Sequence, residues 1–171
     1  MNNKRAFTLV ELMVVIAIIG IIALVAAPNL VTGLPKYRIK RAARDITSKI
    51  RAARSEAIKT SSNINIEFDT TNNRYRIDGE WYPGNNLSDN YGSGVSFGVG
   101  NSGASDECTF PDNADGNGNA TFNSRGISNA VSSDSDPPAI YLTNTENAAY
   151  RIQITTTGNI RLQQLIGSEW K

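Results

Sequence analysis

Residues 7–27 read FTLVELMVVIAIIGIIALVAA, an apolar run broken by one charge, Glu11. Twenty-one residues in a helix at about 1.5 Å each span about 30 Å, the thickness of a bilayer's hydrocarbon core. Ahead of the run stands only MNNKRA, with Lys4 and Arg5 as its cationic flank. A secretory signal peptide also begins with positive charge, but its apolar core is shorter, about 7–15 residues, and ends at a small-x-small site. A plain membrane anchor accounts for the length and leaves the acid unexplained. A carboxylate deep in a bilayer costs on the order of 2–4 kcal/mol even on lenient insertion scales, which marks Glu11 as a functional-site candidate.

Outward from that run, composition narrows the chemistry. The 171 residues fit one modest domain and an appendage, and the net charge is +1. Histidine is absent, which removes the commonest general base and the commonest metal ligand. The sole cysteine, Cys108, has no partner in the chain for a disulfide or a CxxC pair and reads as a loop thiol. No nucleophile arrangement stands out, so an enzyme is not expected, and neither a cofactor nor a metal site is expected.

The segment KRAFTLVELMVVIAIIGIIALVAAP resembles the N-terminal signature of type IV pilins and type II secretion pseudopilins. The resemblance implies cleavage by a prepilin peptidase between Ala6 and Phe7, then methylation of the new amine on Phe7. Glycine is usual before the cut, and Ala6 stands there. It also implies that Glu11 pairs with the N-terminal amine of a neighbouring subunit and sets the register of assembly. Each charge alone would be costly in the bilayer, whereas paired they compensate one another. Lys4 and Arg5 favour a cytoplasmic N-terminus, but the region past the span is more basic still, so the positive-inside rule is divided. An N-inside, single-pass protein of the inner membrane with a periplasmic head, later part of a filament, follows from the resemblance. Gly20 and Pro28 interrupt the helical pattern, and a kink or local melting is expected across residues 20–28; matching positions in similar pilins lose helix in filaments.

The domain plan is a leader at 1–6, a membrane and assembly helix at 7–27, an amphipathic stem at 28–60 and a β-rich head at 61–171. In the stem, Ile39, Ala42, Ala43, Ile46, Ile50, Ala53, Ala57 and Ile58 recur at three- and four-residue intervals. Its other face is basic, nine Lys and Arg against Asp45 and Glu56, whereas residues 61–171 hold six basic and thirteen acidic side chains. A stem of +7 joined to a head of −7 suggests contacts between the two, within a subunit or between stacked subunits. A solvated face near anionic lipid, and nucleic acid held along the stem, are the other readings.

Residues 52–59, AARSEAIK, followed by a polar break and NINIEF, resemble the GspH/FimT branch of minor pilins and pseudopilins. Glu56 and Lys59 also suit a plain helix surface. Alternation at 64–68 and 75–77 predicts a hairpin turning at Asn72-Asn73, and further strands are expected at 95–99, 120–123, 139–144, 149–156 and 160–165. Residues 157–159 form a tight turn between the last two. One long helix followed by strands indicates an α+β head, a mainly antiparallel sheet laid on the amphipathic stripe as in the pilin fold. TFNSRGIS at 121–128 and RIQITTTGNIRLQ at 151–163 resemble later segments of the same branch. The stretch 83–119 reads as a long polar loop. Within it DNADGNGN, 112–119, fails the EF-hand pattern because Ala114 takes a ligand position and Gly116 comes one residue early.

The resemblance implies a minor pilin or pseudopilin whose partners are the prepilin peptidase, other pilin or pseudopilin subunits and inner-membrane lipid. A major structural pilin is an alternative. So is a DNA-binding minor pilin for natural transformation, in which a GRxR-type motif supplies arginines to phosphate. Here that motif is Gly158, Asn159, Ile160 and Arg161, with one arginine replaced by Asn159.

Overall fold

The computed structural model describes residues 7–104, 106, 108–111, 118–130 and 137–171, with the side chains of 25–32 outside the description. Two units are compact by themselves, Met1–Leu34 and Pro35–Lys171. Helix α1, Leu9–Thr60, contributes to both. It starts where the sequence caps it: Thr8 Oγ1 accepts the Glu11 N–H at 3.2 Å. The Thr-x-x-Glu spacing of a capping box thus places an acid in the first turn, where the helix dipole favours it.

In the first unit the apolar side chains of Phe7 and of residues 9–24 lie exposed. Among the described residues no helix is long and apolar enough to cross a membrane; the described side chains of this run end at Leu24. Helix is assigned without interruption across Gly20 and Pro28, so the melting expected at 20–28 is absent from the single chain. Proline deletes one donor, and the i→i−4 bonds on either side hold the backbone helical.

In the second unit α1 buries the stripe read from its periodicity. Ile39, Ala42, Ala43, Ile46, Ile50 and Ala57 are fully buried, and Ala53 nearly so. Ile58, expected with them, is 47% exposed: it lies one residue, about 100°, beyond Ala57 at the edge of the stripe. The helix ends in a Schellman motif, with Ser62 N–H donating to Ala57 O at 3.2 Å and Ser61 N–H to Ile58 O at 3.4 Å. Ser61 occupies the left-handed position, φ 53°, where glycine is usual.

The head holds two antiparallel sheets where one was expected. The first comprises β1 (Ile64–Asp69), β2 (Arg74–Ile77), β3 (Glu80–Tyr82) and β5 (Gly118–Phe122), in the order β3-β2-β1-β5. The second comprises β4 (Ser96–Phe97), β6 (Ala139–Thr143), β7 (Ala149–Ile154), β8 (Ile160–Ile166) and β9 (Glu169–Trp170), in the order β4-β6-β7-β8-β9. Register in both places apolar residues opposite one another, as in Phe68↔Tyr75 and Ile152↔Leu162. The inward faces of both sheets and the α1 stripe form one core cluster. The hairpin turn at Asn72-Asn73 is present, with Asn73 at φ 53°. Its carbonyl accepts Leu87 N–H at 2.8 Å and its Oδ1 accepts Phe97 N–H at 2.7 Å, tying the first sheet's turn to elements of the middle segment.

That middle segment is less of a loop than expected. It contains the short helix α2, Leu87–Tyr91, capped by Asn86, and the start of β5, while β4 falls within the strand expected at 95–99. Helix α2, like β3 and β9, is too short to display a period. Residues 112–117 of the stretch weighed for calcium lie outside the described residues.

Candidate functional site

At the N-terminus, Ala6 lies outside the described residues and Phe7 is 76% exposed. Phe7 and Thr8 precede the helix, so the bond expected to be cut falls just ahead of the cap. Glu11 is exposed in the first helical turn, three residues after Thr8. Gly20 and Pro28 follow within α1.

A second locus gathers the three segments singled out by resemblance. Arg54, from 52–59, donates through Nε to the carbonyl of Gly126, from 121–128, at 2.9 Å. Gly158, from 151–163, packs on the same point: a Cβ there would stand 1.9 Å from Gly126 O and 2.9 Å from Arg54 Nε. Both glycines have positive φ, 72° and 79°. Ser128 N–H donates to Thr156 O at 3.1 Å, and Arg51 Nη2 to Ile160 O at 3.4 Å. The Gly126 turn is shaped by Asn123, whose Oδ1 accepts the N–H groups of Arg125 and Ile127 at 2.9 and 3.1 Å. These contacts fasten the C-terminal hairpin and the 121–128 turn to the stem. The sequence offered a clue in its two turn glycines but no indication that one arginine joins them. Arg161 is exposed on β8, across from Gln153 on β7.

A third contact holds α2 against the stem: Tyr91 OH donates to Asp45. Burial, with that hydrogen bond, raises the Tyr91 hydroxyl above its ordinary range. Tyr75 nearby is fully buried, its hydroxyl without a hydrogen-bond partner and pushed up by that burial. Stem and head meet through varied chemistry: Lys36 Nζ lies 3.9 Å from Glu146, and Lys49 Nζ sits 4.3 Å from the Tyr82 ring centroid. Within the head, Asp69 pairs with Arg74 at 3.1 Å and Glu67 with Arg76. The charge asymmetry therefore translates into an acid-to-base contact only in part: Glu146 of the head meets Lys36 of the stem, whereas Glu67 and Asp69 have arginine partners on the adjacent strand. Among the described residues no group of His, Cys, Asp and Glu is placed to hold a metal ion.

Comparison with known proteins places these features in a lineage. The prokaryotic N-terminal methylation motif matches residues 1–27, the segment ending in the apolar run. The type II transport protein GspH family matches residues 42–158, more than half the chain, including Arg54, Gly126 and Gly158. No curated protein matches the chain. Among solved structures, the crystal structure of the type IV minor pilin FimU of Pseudomonas aeruginosa (strain PAO1) aligns at a TM-score of 0.49 and 14% identity. That alignment covers 80% of this chain and 94% of the other. On the strength of its two sequence matches, the chain belongs to the GspH family and is a pilin-like prepilin of the GspH/FimT branch of minor pilins and pseudopilins.

Proposed function

We propose that this chain is a structural subunit, not an enzyme, of a type IV pilus or type II secretion filament. In this reading prepilin peptidase cuts between Ala6 and Phe7 and the new amine is methylated. The subunit waits in the inner membrane as a single-pass protein, N-terminus cytoplasmic and head periplasmic, and enters a filament through residues 7–27. The observation that carries the reading is the methylation motif at 1–27 followed in one chain by the GspH match at 42–158. Glu11 then serves as partner for a neighbour's N-terminal amine, a pairing that compensates two charges otherwise costly in the bilayer. Gly20 and Pro28 are the places where α1 would open when packed among other helices. A prepilin peptidase host supplies the test: intact mass of the membrane-extracted protein should show loss of residues 1–6 and gain of one methyl group. Unchanged mass, with a control pilin processed normally, would overturn the reading.

A DNA-binding role is the second reading, favoured by the exposure of Arg125 and Arg161 on two of the segments that Arg54 holds together. Phosphate contacts by these arginines would give a salt-dependent affinity for double-stranded DNA. Binding at low salt that falls in Arg161→Ala supports it; no shift at micromolar protein eliminates it.

A further inference from the structure

The solvent face of the stem begins with a dense group of cations. Lys36, Lys40, Arg41 and Arg44 are all exposed, at successive spacings of four, one and three residues, on the side of α1 away from Ile39, Ala42, Ala43 and Ile46. Arg38 is set apart from them, half-buried, where its side chain packs against Gly92. Two carboxylates are near. Asp45 follows Arg44 and accepts from Tyr91, and Glu146 lies 3.9 Å from the Lys36 ammonium in an exposed pair. Such an exposed pair is weak and leaves the lysine available to a second anion. Tyr37 stands among the cations, 68% exposed, an amphipathic ring of the kind enriched at membrane–water interfaces.

In the sequence, the apolar residues Leu30, Val31 and Leu34 lead directly into this group. Lys36 to Arg44 covers about 12 Å of helix, comparable to a Debye length of about 8–10 Å at physiological salt. A negatively charged surface at the Lys36 end therefore acts most strongly on Lys36 and progressively less toward Arg44. We propose that Lys36, Lys40, Arg41 and Arg44 form a face that binds the phosphates of anionic phospholipid headgroups, with Tyr37 seated at the interface among them. Lipid is the partner because the basic group follows the apolar run directly in sequence, while Glu67 and Asp69 of the head already have arginine partners in their own sheet. The face holds the unassembled subunit at the bilayer surface, so that entering a filament exchanges lipid phosphates for other contacts. The proposal rests on the membrane-inserted reading of residues 7–27.

The test reconstitutes the full chain into vesicles of equimolar phosphatidylcholine and phosphatidylglycerol, then extracts it mildly and quantifies co-purified lipid by mass spectrometry. Phosphatidylglycerol should be enriched about fivefold or more over phosphatidylcholine, since one basic residue near an anionic surface already accounts for a factor of that size. The enrichment should disappear in the combined Lys36→Gln, Lys40→Gln, Arg41→Gln and Arg44→Gln variant, and persist in Arg125→Gln/Arg161→Gln. Raising salt on the unaltered chain should erode it too, a readout that depends on no variant folding. Equal retention of both lipids, or enrichment unchanged by salt, would overturn the proposal while leaving the membrane reading intact. Failure to incorporate into either kind of vesicle, the mixed one or pure phosphatidylcholine, would overturn both.

Discussion

Gly158 shows how much can rest on a missing side chain. Its φ of 79° disfavours any L side chain, and a Cβ would stand 1.9 Å from the Gly126 carbonyl oxygen. Gly158→Ala should cost about 3 kcal/mol from left-handed strain and overpacking. Denaturant unfolding of the detergent-solubilised chain measures this through tryptophan fluorescence, because Trp81 and Trp170 both lie in the head. Tyr75→Phe should behave in the opposite way. The hydroxyl is buried without a partner, so its removal should be neutral or stabilise by up to about 1 kcal/mol. A loss of more than that would mean the hydroxyl is satisfied in solution. At Asp69 burial alone would raise the carboxyl, but hydrogen bonds from Asn72 and Arg74 outweigh it and hold its pKa below the ordinary 3.8. A depressed folded pKa contributes stability that is full above the unfolded value and is lost as pH falls through the folded one. Asp69→Asn should therefore flatten the acid limb of the stability profile below about pH 4 and cost about 1–2 kcal/mol at neutral pH.

At the scale of elements, α1 carries its own start and stop signals. Thr8 with Glu11 caps the first turn and Ser61 closes the last. Ser61 adopts φ 53° without being glycine, so Ser61→Gly should stabilise the head by about 1 kcal/mol, read as a shift in unfolding midpoint. A destabilised Ser61→Gly chain would show that the serine side chain, and not the turn geometry, matters there. The short elements of the middle segment draw their stability from elsewhere. Five residues of α2 cannot sustain a helix alone; Asn86 caps it, Leu87 is buried in the core, and Tyr91 reaches Asp45 on the stem.

On the scale of the whole molecule, the membrane-and-filament reading makes Glu11 an assembly residue and spares it any part in folding the head. Glu11→Gln should leave peptidase processing and head stability unchanged while lowering filament incorporation about a hundredfold, the consequence of leaving a buried amine without its partner. Quantifying mature subunit in sheared filaments against the membrane pool checks this, and normal incorporation would exclude the pairing. The junction of Arg54, Gly126 and Gly158 belongs to the same scale, since it fastens parts of the chain 72 residues and more apart.

Read alone, the sequence determined the apolar run with its acid, the buried stripe on the stem, the strand-rich head and the lineage. All of these are written in local periodicity, in spacing or in contiguous motifs, which need no knowledge of what packs against them. Tertiary structure decided the rest. Two sheets replaced one because partner choice among strands depends on contacts far apart in sequence, as when β5 joins β1 across the whole middle segment. Ile58, periodic with its neighbours, fell outside the core because it sits past the edge of the stripe, against the Gly126 turn and still half open to solvent. Arg54 became a fastener because the fold sets a backbone carbonyl in front of it, and no pattern along a chain announces where a distant carbonyl will point.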